Sequence, residues 1–413
     1  MKKNTLLFLL IFITIYAYSK DKNPQRHPVI FVHGMLGAGD TWTSQCKRFQ
    51  AKGYQKEYLQ VLDWNTLSFG GNAGKQLDSI IDLTLKITKA NKVDLVGHSA
   101  GGGVCLSYLS KIENAAKVAH YVHIGSSRLS KTPSVPTLNI YSPDDKISGG
   151  ADVPDAYNLT LKGKDHYEVA TCQQTFNALF KFFDAGSGVR LISATPVFYW
   201  ISGRVLSFGE NKPQPNTTIE IYEYDVVNGK RLKEKAEYIT TADSAGNWKA
   251  LAANPYTYYE FVVKPANTNG RTIHYFHEPF TAESKLMYLR TLSSSGMAAM
   301  ITNNLPSNDS TATLAIFSSN KAVINGRDSL TVNGFNLSAA QFSPAEKTSI
   351  AYFVYQQSNK TSTPNPMAKF PFINNIDLKL PVKEKIQIYF NGRNMTLTTL
   401  PSSTEGITVA MFD

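Results

Sequence analysis

A serine, a histidine and an adjacent pair of carboxylates stand in this chain where an acyl-transfer site could be assembled from them. The run Val93-Asp94-Leu95-Val96-Gly97-His98-Ser99-Ala100-Gly101-Gly102 ends an apolar stretch in G-x-S-x-G. That pattern is a nucleophile elbow, a sharp strand-to-helix turn that lifts a serine hydroxyl clear of a sheet. Gly97 and Gly101 leave room for so tight a turn. The helix that follows aims its free N–H groups at the reacting centre. A serine hydroxyl attacks only with a base in hydrogen-bond reach. His166, in the loop Gly163-Lys164-Asp165-His166-Tyr167-Glu168 ahead of a helical stretch, is the candidate base. The carboxylate that would orient it is Asp144 or Asp145, in Tyr141-Ser142-Pro143-Asp144-Asp145-Lys146-Ile147. His33 and His98 precede catalytic elements and read as supporting residues. His120 and His123 sit in a strand pattern, His27 lies near the expected mature N-terminus, and His274 with His277 lacks a third ligand. No part of the sequence has metal-ligand spacing.

These residues need a sheet to hold them. Apolar runs at 28–33, 58–62, 93–98, 118–124, 136–142 and 156–161 predict buried parallel strands. Helical spacing is expected over 41–52 (with Asp40 as N-cap and Gly53 as stop), 74–89, 100–111 and 168–183. Alternation of this kind predicts an α/β fold in three layers.

With Pro28-Val29-Ile30-Phe31-Val32-His33-Gly34-Met35-Leu36-Gly37 upstream of the elbow, residues 27–183 resemble a minimal α/β-hydrolase of the bacterial true-lipase type, similar to the small lidless lipases. The long β-rich tail resembles that of archaeal-type lipases carrying a C-terminal lipid-binding β domain. The resemblance implies a serine carboxyl-ester hydrolase forming an acyl-enzyme on Ser99, and more narrowly a secreted triacylglycerol lipase. The alternative is a short-chain or polyester esterase whose β-rich half binds substrate or a surface. The family's acid lies two residues before an aliphatic residue, which selects Asp145 through Lys146-Ile147. Its oxyanion donors correspond to the backbone N–H groups of Met35 and Ala100. No cofactor is implied. The span from Asp145 to His166 is too short for a large helical cap. Met35, Leu36, Trp42, Trp64, Leu67, Phe69 and Val153 are candidates for the mouth of the site or for core.

At 413 residues the chain is expected to hold two or three domains. Residues 1–19 read as an export signal, with Lys2 and Lys3, an apolar run at 6–16 and Ala17-Tyr18-Ser19. No cysteine follows to anchor a lipoprotein, and no later segment is apolar enough to cross a membrane. A secreted or periplasmic protein is expected. The net charge of +10 is not clustered with aromatics, so nucleic acid is not an expected partner. Three cysteines, Cys46, Cys105 and Cys172, fall in predicted helices. One disulfide is open to them, and small buried hydrophobes is the simpler reading.

The catalytic domain is expected over 20–185, with a flexible linker at 186–195. Beyond it the pattern becomes all-β, with Asn-Gly hairpin signals at Asn228-Gly229, Asn269-Gly270, Asn325-Gly326, Asn333-Gly334 and Asn391-Gly392. Residues 196–290 resemble a transthyretin-like sandwich module, with a hairpin closed over 241–248. Residues 291–413 form a second β-rich unit, or pack with the first as one larger domain. The aromatics Tyr256, Tyr258, Tyr259, Phe261 and Phe280 read as sandwich core, with a lipid-facing surface as the alternative.

Overall fold

The computed structural model describes residues 26–412 except 69–70, 184–195, 268–269, 293–298, 300–302, 358–362, 365–371 and 399. The expected export signal, the expected linker and Phe69 lie outside the described residues.

Six parallel strands form the first sheet: β1 (Val29–Val32), β2 (Leu59–Leu62), β3 (Val93–His98), β4 (Val118–Ile124), β5 (Thr137–Tyr141) and β6 (Tyr157–Thr160). Their order is β2-β1-β3-β4-β5-β6. The helices are α1 (Thr43–Ala51), α2 (Ala73–Thr88), α3 (Ala100–Leu109), α4 (Ile112–Ala115), α5 (Glu168–Thr171) and α6 (Gln173–Phe182). Alternate residues of β1 serve opposite faces, as the two-residue strand period requires. Val29 and Phe31 join Phe49 of α1 and Phe176 and Leu179 of α6. Ile30 and Val32 join Leu77 and Ile81 of α2 and Val104 of α3. Both faces are therefore covered, and β1 and β3 are buried throughout.

Two local expectations are corrected. Asp40 does not cap α1. It lies in a 3-10 turn over Gly39–Trp42 and accepts from the half-buried Arg290 guanidinium at 2.7 Å, a stronger claim on a carboxylate than a helix end. The stretch 168–183 breaks at Cys172, which is extended (ψ 165°) and separates α5 from α6. All three cysteines are free. Burial pushes the Cys46 thiol up to about 12, so it behaves as a small hydrophobe.

The chain beyond 196 is built around a ten-stranded sheet. Its strands run Tyr238–Thr241, Thr218–Asp225, Tyr258–Lys264, Thr272–His277, Gly406–Met411, Leu314–Phe317, Ala351–Tyr355, Ile373–Asp377 and Thr363–Pro364, with Lys230–Arg231 paired to the second. The last strand of the chain inserts in parallel between Thr272–His277 and Leu314–Phe317. Strands from both sides of residue 290 thus share one sheet. A four-stranded sheet covers one face, with Leu330, Ile388 and Leu397 meeting Leu314, Val354 and Phe412. The other face meets a three-stranded sheet (Asn247–Ala253, Tyr199–Ser207, Leu289–Thr291) at one end.

Asn333-Gly334 and Asn391-Gly392 are two-residue hairpin turns, with all four residues at positive φ (50°, 78°, 48° and 86°). That is the geometry for which Asn-Gly is favoured. Asn325-Gly326 joins no hairpin and instead turns the chain ahead of Arg327. The expected hairpin over 241–248 is also absent. Tyr238–Thr241 pairs with Thr218–Asp225, whereas Asn247–Ala253 pairs with Tyr199–Ser207 in a different sheet. The Asp243 carboxylate, accepting from the N–H groups of Ala245 and Asn247, forms the corner between sheets. Tyr259, Phe261 and Phe280 lie in the β core, and Tyr256 is exposed.

Candidate active site

Ser99 follows the carboxyl end of β3 and precedes α3. Its backbone sits at φ 53°, ψ −127°, a conformation few non-glycine residues adopt and one the surrounding packing must enforce. A side chain at Gly101 would meet the Val32 carbonyl at 2.4 Å, and one at Gly97 would meet the Cys105 sulfur at 2.8 Å. The elbow therefore closes only with glycines flanking it.

His166 Nε2 lies 2.9 Å from Ser99 Oγ, and His166 Nδ1 lies 2.8 Å from Asp145 Oδ2. The histidine and the carboxylate are both buried, and Ser99 is half-buried. Asp145 also accepts from the Ile147 N–H (2.8 Å), the Ser148 N–H (3.1 Å) and the Ser148 hydroxyl (2.6 Å). Burial opposes its ionisation, but His166 and these donors outweigh that and hold its carboxyl down to about 2. Asp144 is exposed and accepts from the Gly163 N–H at 2.6 Å. It does not join the cluster.

Two further histidines shape the site without titrating near neutrality. His98 Nε2 donates to the His166 carbonyl at 2.7 Å, fixing the loop that carries His166. Burial, with His166 beside it, pushes the His98 pKa down to about 3. His33 stacks on Trp64 and donates through Nδ1 to the Gly34 carbonyl at 2.9 Å. Its pKa is lowered to about 4 by burial. Gly34 lies against the serine, since a Cβ there would stand 2.8 Å from Ser99 Cβ. Met35 follows in this loop, and Ala100 holds the first position of α3, whose leading N–H groups have no partner within the helix.

Sequence reasoning missed the residues of the β half that hold these loops. Asn211 Nδ2 donates to the carbonyls of Gly37 (2.8 Å) and Trp64 (2.9 Å). Thr66 Oγ1 accepts from the Leu36 N–H (3.0 Å) and donates to the Gly209 carbonyl (2.9 Å). Asp63 accepts from Arg204 (2.6 Å) and from the Tyr288 hydroxyl (2.8 Å). On the other side, the Phe372 ring stacks on His166 with centroids 5.8 Å apart and planes 11° from parallel. Arg327 reaches Asp165 at 2.8 Å and Glu168 at 2.6 Å, bracketing His166. Burial and the neighbouring Glu168 push the Asp165 carboxyl up to about 6 against the pull of Arg327.

Of the expected mouth residues, Trp42, Trp64 and Val153 are buried as core. Leu36 and Leu67 pack against the β half. Met35 and Ala100 line an open cleft with Trp64, Ala73, Val104 and Tyr108. Behind Leu36 and Phe372 lies a narrow apolar cavity of about 70 Å³, walled by Tyr275, Phe317, Phe353 and Val409.

Residues 26–111 match the family described as Lipase (class 2), and residues 199–294 match the one described as Lipase C-terminal domain. The protein is a lipase-like α/β-hydrolase with a C-terminal β-rich region. Among solved structures it is similar to a CIB-like hydrolase from Thermoplasma acidophilum (14% identity over 39% of this chain and 87% of that one, TM-score 0.30). It is also similar to a lipase from Bacillus licheniformis (17%, 39% and 93%, TM-score 0.32). A third is a lipase-esterase related protein from Clostridium acetobutylicum (13%, 39% and 96%, TM-score 0.31). The Lipase C-terminal match falls on the unit read from sequence as transthyretin-like. No helix among the described residues is long and apolar enough to cross a membrane.

Arg327 touches the loop that carries His166, through Asp165 and Glu168, and not Ser99, His166 or Asp145 themselves. Arg327→Ala leaves a buried carboxylate without its cation, so stability should fall by on the order of 3 kcal/mol in a denaturant melt. It should also lower kcat about tenfold with KM little changed, because His166 loses its fixed place. Arg327→Lys should restore part of kcat, which a purely structural defect elsewhere would not require.

Proposed function

We propose that this lipase-like hydrolase cleaves carboxylic esters of long-chain acyl groups, of the triacylglycerol class, through an acyl-enzyme on Ser99. The observation that carries the reading is the continuous hydrogen-bonded line from Ser99 through His166 to Asp145. Ser99 Oγ attacks the ester carbonyl carbon while His166 Nε2 takes its proton. Asp145, ionised, holds the imidazole with Nδ1–H towards itself and stabilises the imidazolium. The tetrahedral oxyanion is received by the N–H groups of Met35 and Ala100 at the positive end of α3. His166 then protonates the departing alkoxide. Water, deprotonated by the same nitrogen, attacks the acyl-enzyme and frees the acid and Ser99. We further propose that residues 1–19 direct export and that the chain from 196 onward serves as one β-rich unit.

Part of the acyl chain is assigned to the narrow cavity behind Leu36 and Phe372, and the alcohol portion to the open cleft beside Met35 and Ala100. Apolar walls contributed by the β half support the long-chain assignment over the short-chain one. A nitrophenyl-ester series from two to sixteen carbons tests it. kcat/KM is expected to peak at eight carbons or more. Ala351→Leu, which fills the cavity from its wall, should cut turnover of the sixteen-carbon ester about tenfold or more, the worth of a few methylene contacts. The two-carbon ester should be unaffected. A peak at two to four carbons, indifferent to Ala351→Leu, would replace the lipase reading with a short-chain esterase.

A further inference from the structure

At the end of the first sheet opposite Ser99, three chemistry-bearing side chains from separate elements converge. His27 stands just ahead of β1, Asp94 is the second residue of β3 and His120 the third of β4. Parallel register sets Asp94 beside His120 and beside Val29. His120 Nδ1 lies 2.8 Å and His27 Nδ1 3.5 Å from Asp94 Oδ1. One ligand atom from each of the three lies within 4.8 Å of the others. The two imidazoles are about a quarter exposed, at 27% and 24%, so the cluster opens to solvent on one side.

The Asp94 carboxylate is wholly buried, yet its second oxygen, Oδ2, accepts no hydrogen bond among the described residues. An unpaired buried carboxylate oxygen carries a desolvation cost that a fold normally offsets. The neighbouring cation, Arg26, lies over the Tyr54 ring at 5.0 Å and donates to the Lys52 carbonyl at 3.2 Å. Two imidazoles and a carboxylate are the donor set of a borderline divalent cation, which takes nitrogen and oxygen at about 2.0–2.2 Å. Four such ligands around one ion stand about 3.4 Å apart, a spacing that the observed 2.8 Å and 3.5 Å separations straddle.

We propose that His27, Asp94 and His120 bind one divalent cation of the zinc class, with a solvent-facing fourth position. The site ties the segment leading into β1 to β3 and β4. Asp94 and Ser99 are separated by the length of β3, roughly 17 Å at 3.3 Å per residue, so the site is structural and independent of the hydrolytic reading.

The test uses the full chain without an affinity tag, stripped with a chelator and dialysed, and then titrated with zinc chloride in a calorimeter. One zinc per chain is expected, with a rise in melting temperature. His120→Asn and His27→Gln, both at partly exposed positions, should each weaken binding at least tenfold and abolish the thermal shift. Turnover of a short ester by His120→Asn should stay at the wild-type level. Absence of saturable zinc binding would overturn the proposal. So would binding of equal strength in both variants, which would place the ion elsewhere.

Discussion

Ser99→Ala is expected to remove about six orders of magnitude from kcat on a soluble nitrophenyl ester, the loss seen when a serine nucleophile is deleted from a relay that acts as a unit. The residual rate should exceed that of water alone by about 10³–10⁴, because the oxyanion donors and substrate binding remain. The substitution removes one oxygen from a half-buried position and leaves the φ 53° turn occupied by a residue with the same backbone constraint. Melting temperature should therefore hardly move, which separates loss of chemistry from loss of fold. Steady-state kinetics beside a thermal melt reads both. Activity within tenfold of the parent would remove Ser99 from the mechanism.

The second large effect distinguishes two neighbours. Asp145→Asn should lower kcat by about 10⁴-fold. An amide at that position can donate to His166 Nδ1, which leaves the proton on Nε2 and deprives Ser99 of its acceptor. Asp144→Asn should leave kcat within about threefold, since that carboxylate is exposed and engaged with Gly163. The pH response follows with a definite sign. A carboxyl held down to about 2 in the fold contributes stability that is fully present above the ordinary carboxylate pKa near 3.9. That stability is lost only as pH falls towards 2. Loss of activity between pH 4 and 7 would therefore not come from Asp145. Equal damage from both asparagine variants would contradict the assignment.

The first sheet was legible because its signals are local. Apolar runs bounded by glycine and proline predict the six strands, and the G-x-S-x-G run places Ser99 between strand and helix. Asp145 was selected over Asp144 through the aliphatic residue at Ile147, whose N–H the Asp145 carboxylate accepts. What remained hidden depends on contacts between distant parts of the chain. Asn211 touches Gly37, Arg327 touches Asp165, and Phe372 stacks on His166, and none of these pairs shares a periodicity or a motif. Asn325-Gly326 shows the limit of a turn signal, since the dipeptide permits a reversal without requiring flanking strands to pair. The corner at Asp243–Gly246 is similar, because alternation along two strands does not say which sheet each one joins. His27, Asp94 and His120 meet only through strand order.

The same distant contacts seat the β half against the loops around Ser99 and His166. One face of the ten-stranded sheet lies over the Gly34–Leu36 segment through Leu36 and over His166 through Phe372. The β half therefore forms part of the site's walls rather than a detached module.

The most direct test of a serine nucleophile is covalent capture. Incubation with a nitrophenyl alkylphosphonate forms a phosphorus–oxygen bond to an activated serine and releases nitrophenolate. One adduct per chain is expected by intact mass, located by digestion on the peptide containing Ser99, with no adduct in His166→Ala. An unmodified protein, or an adduct on any other residue, would contradict it.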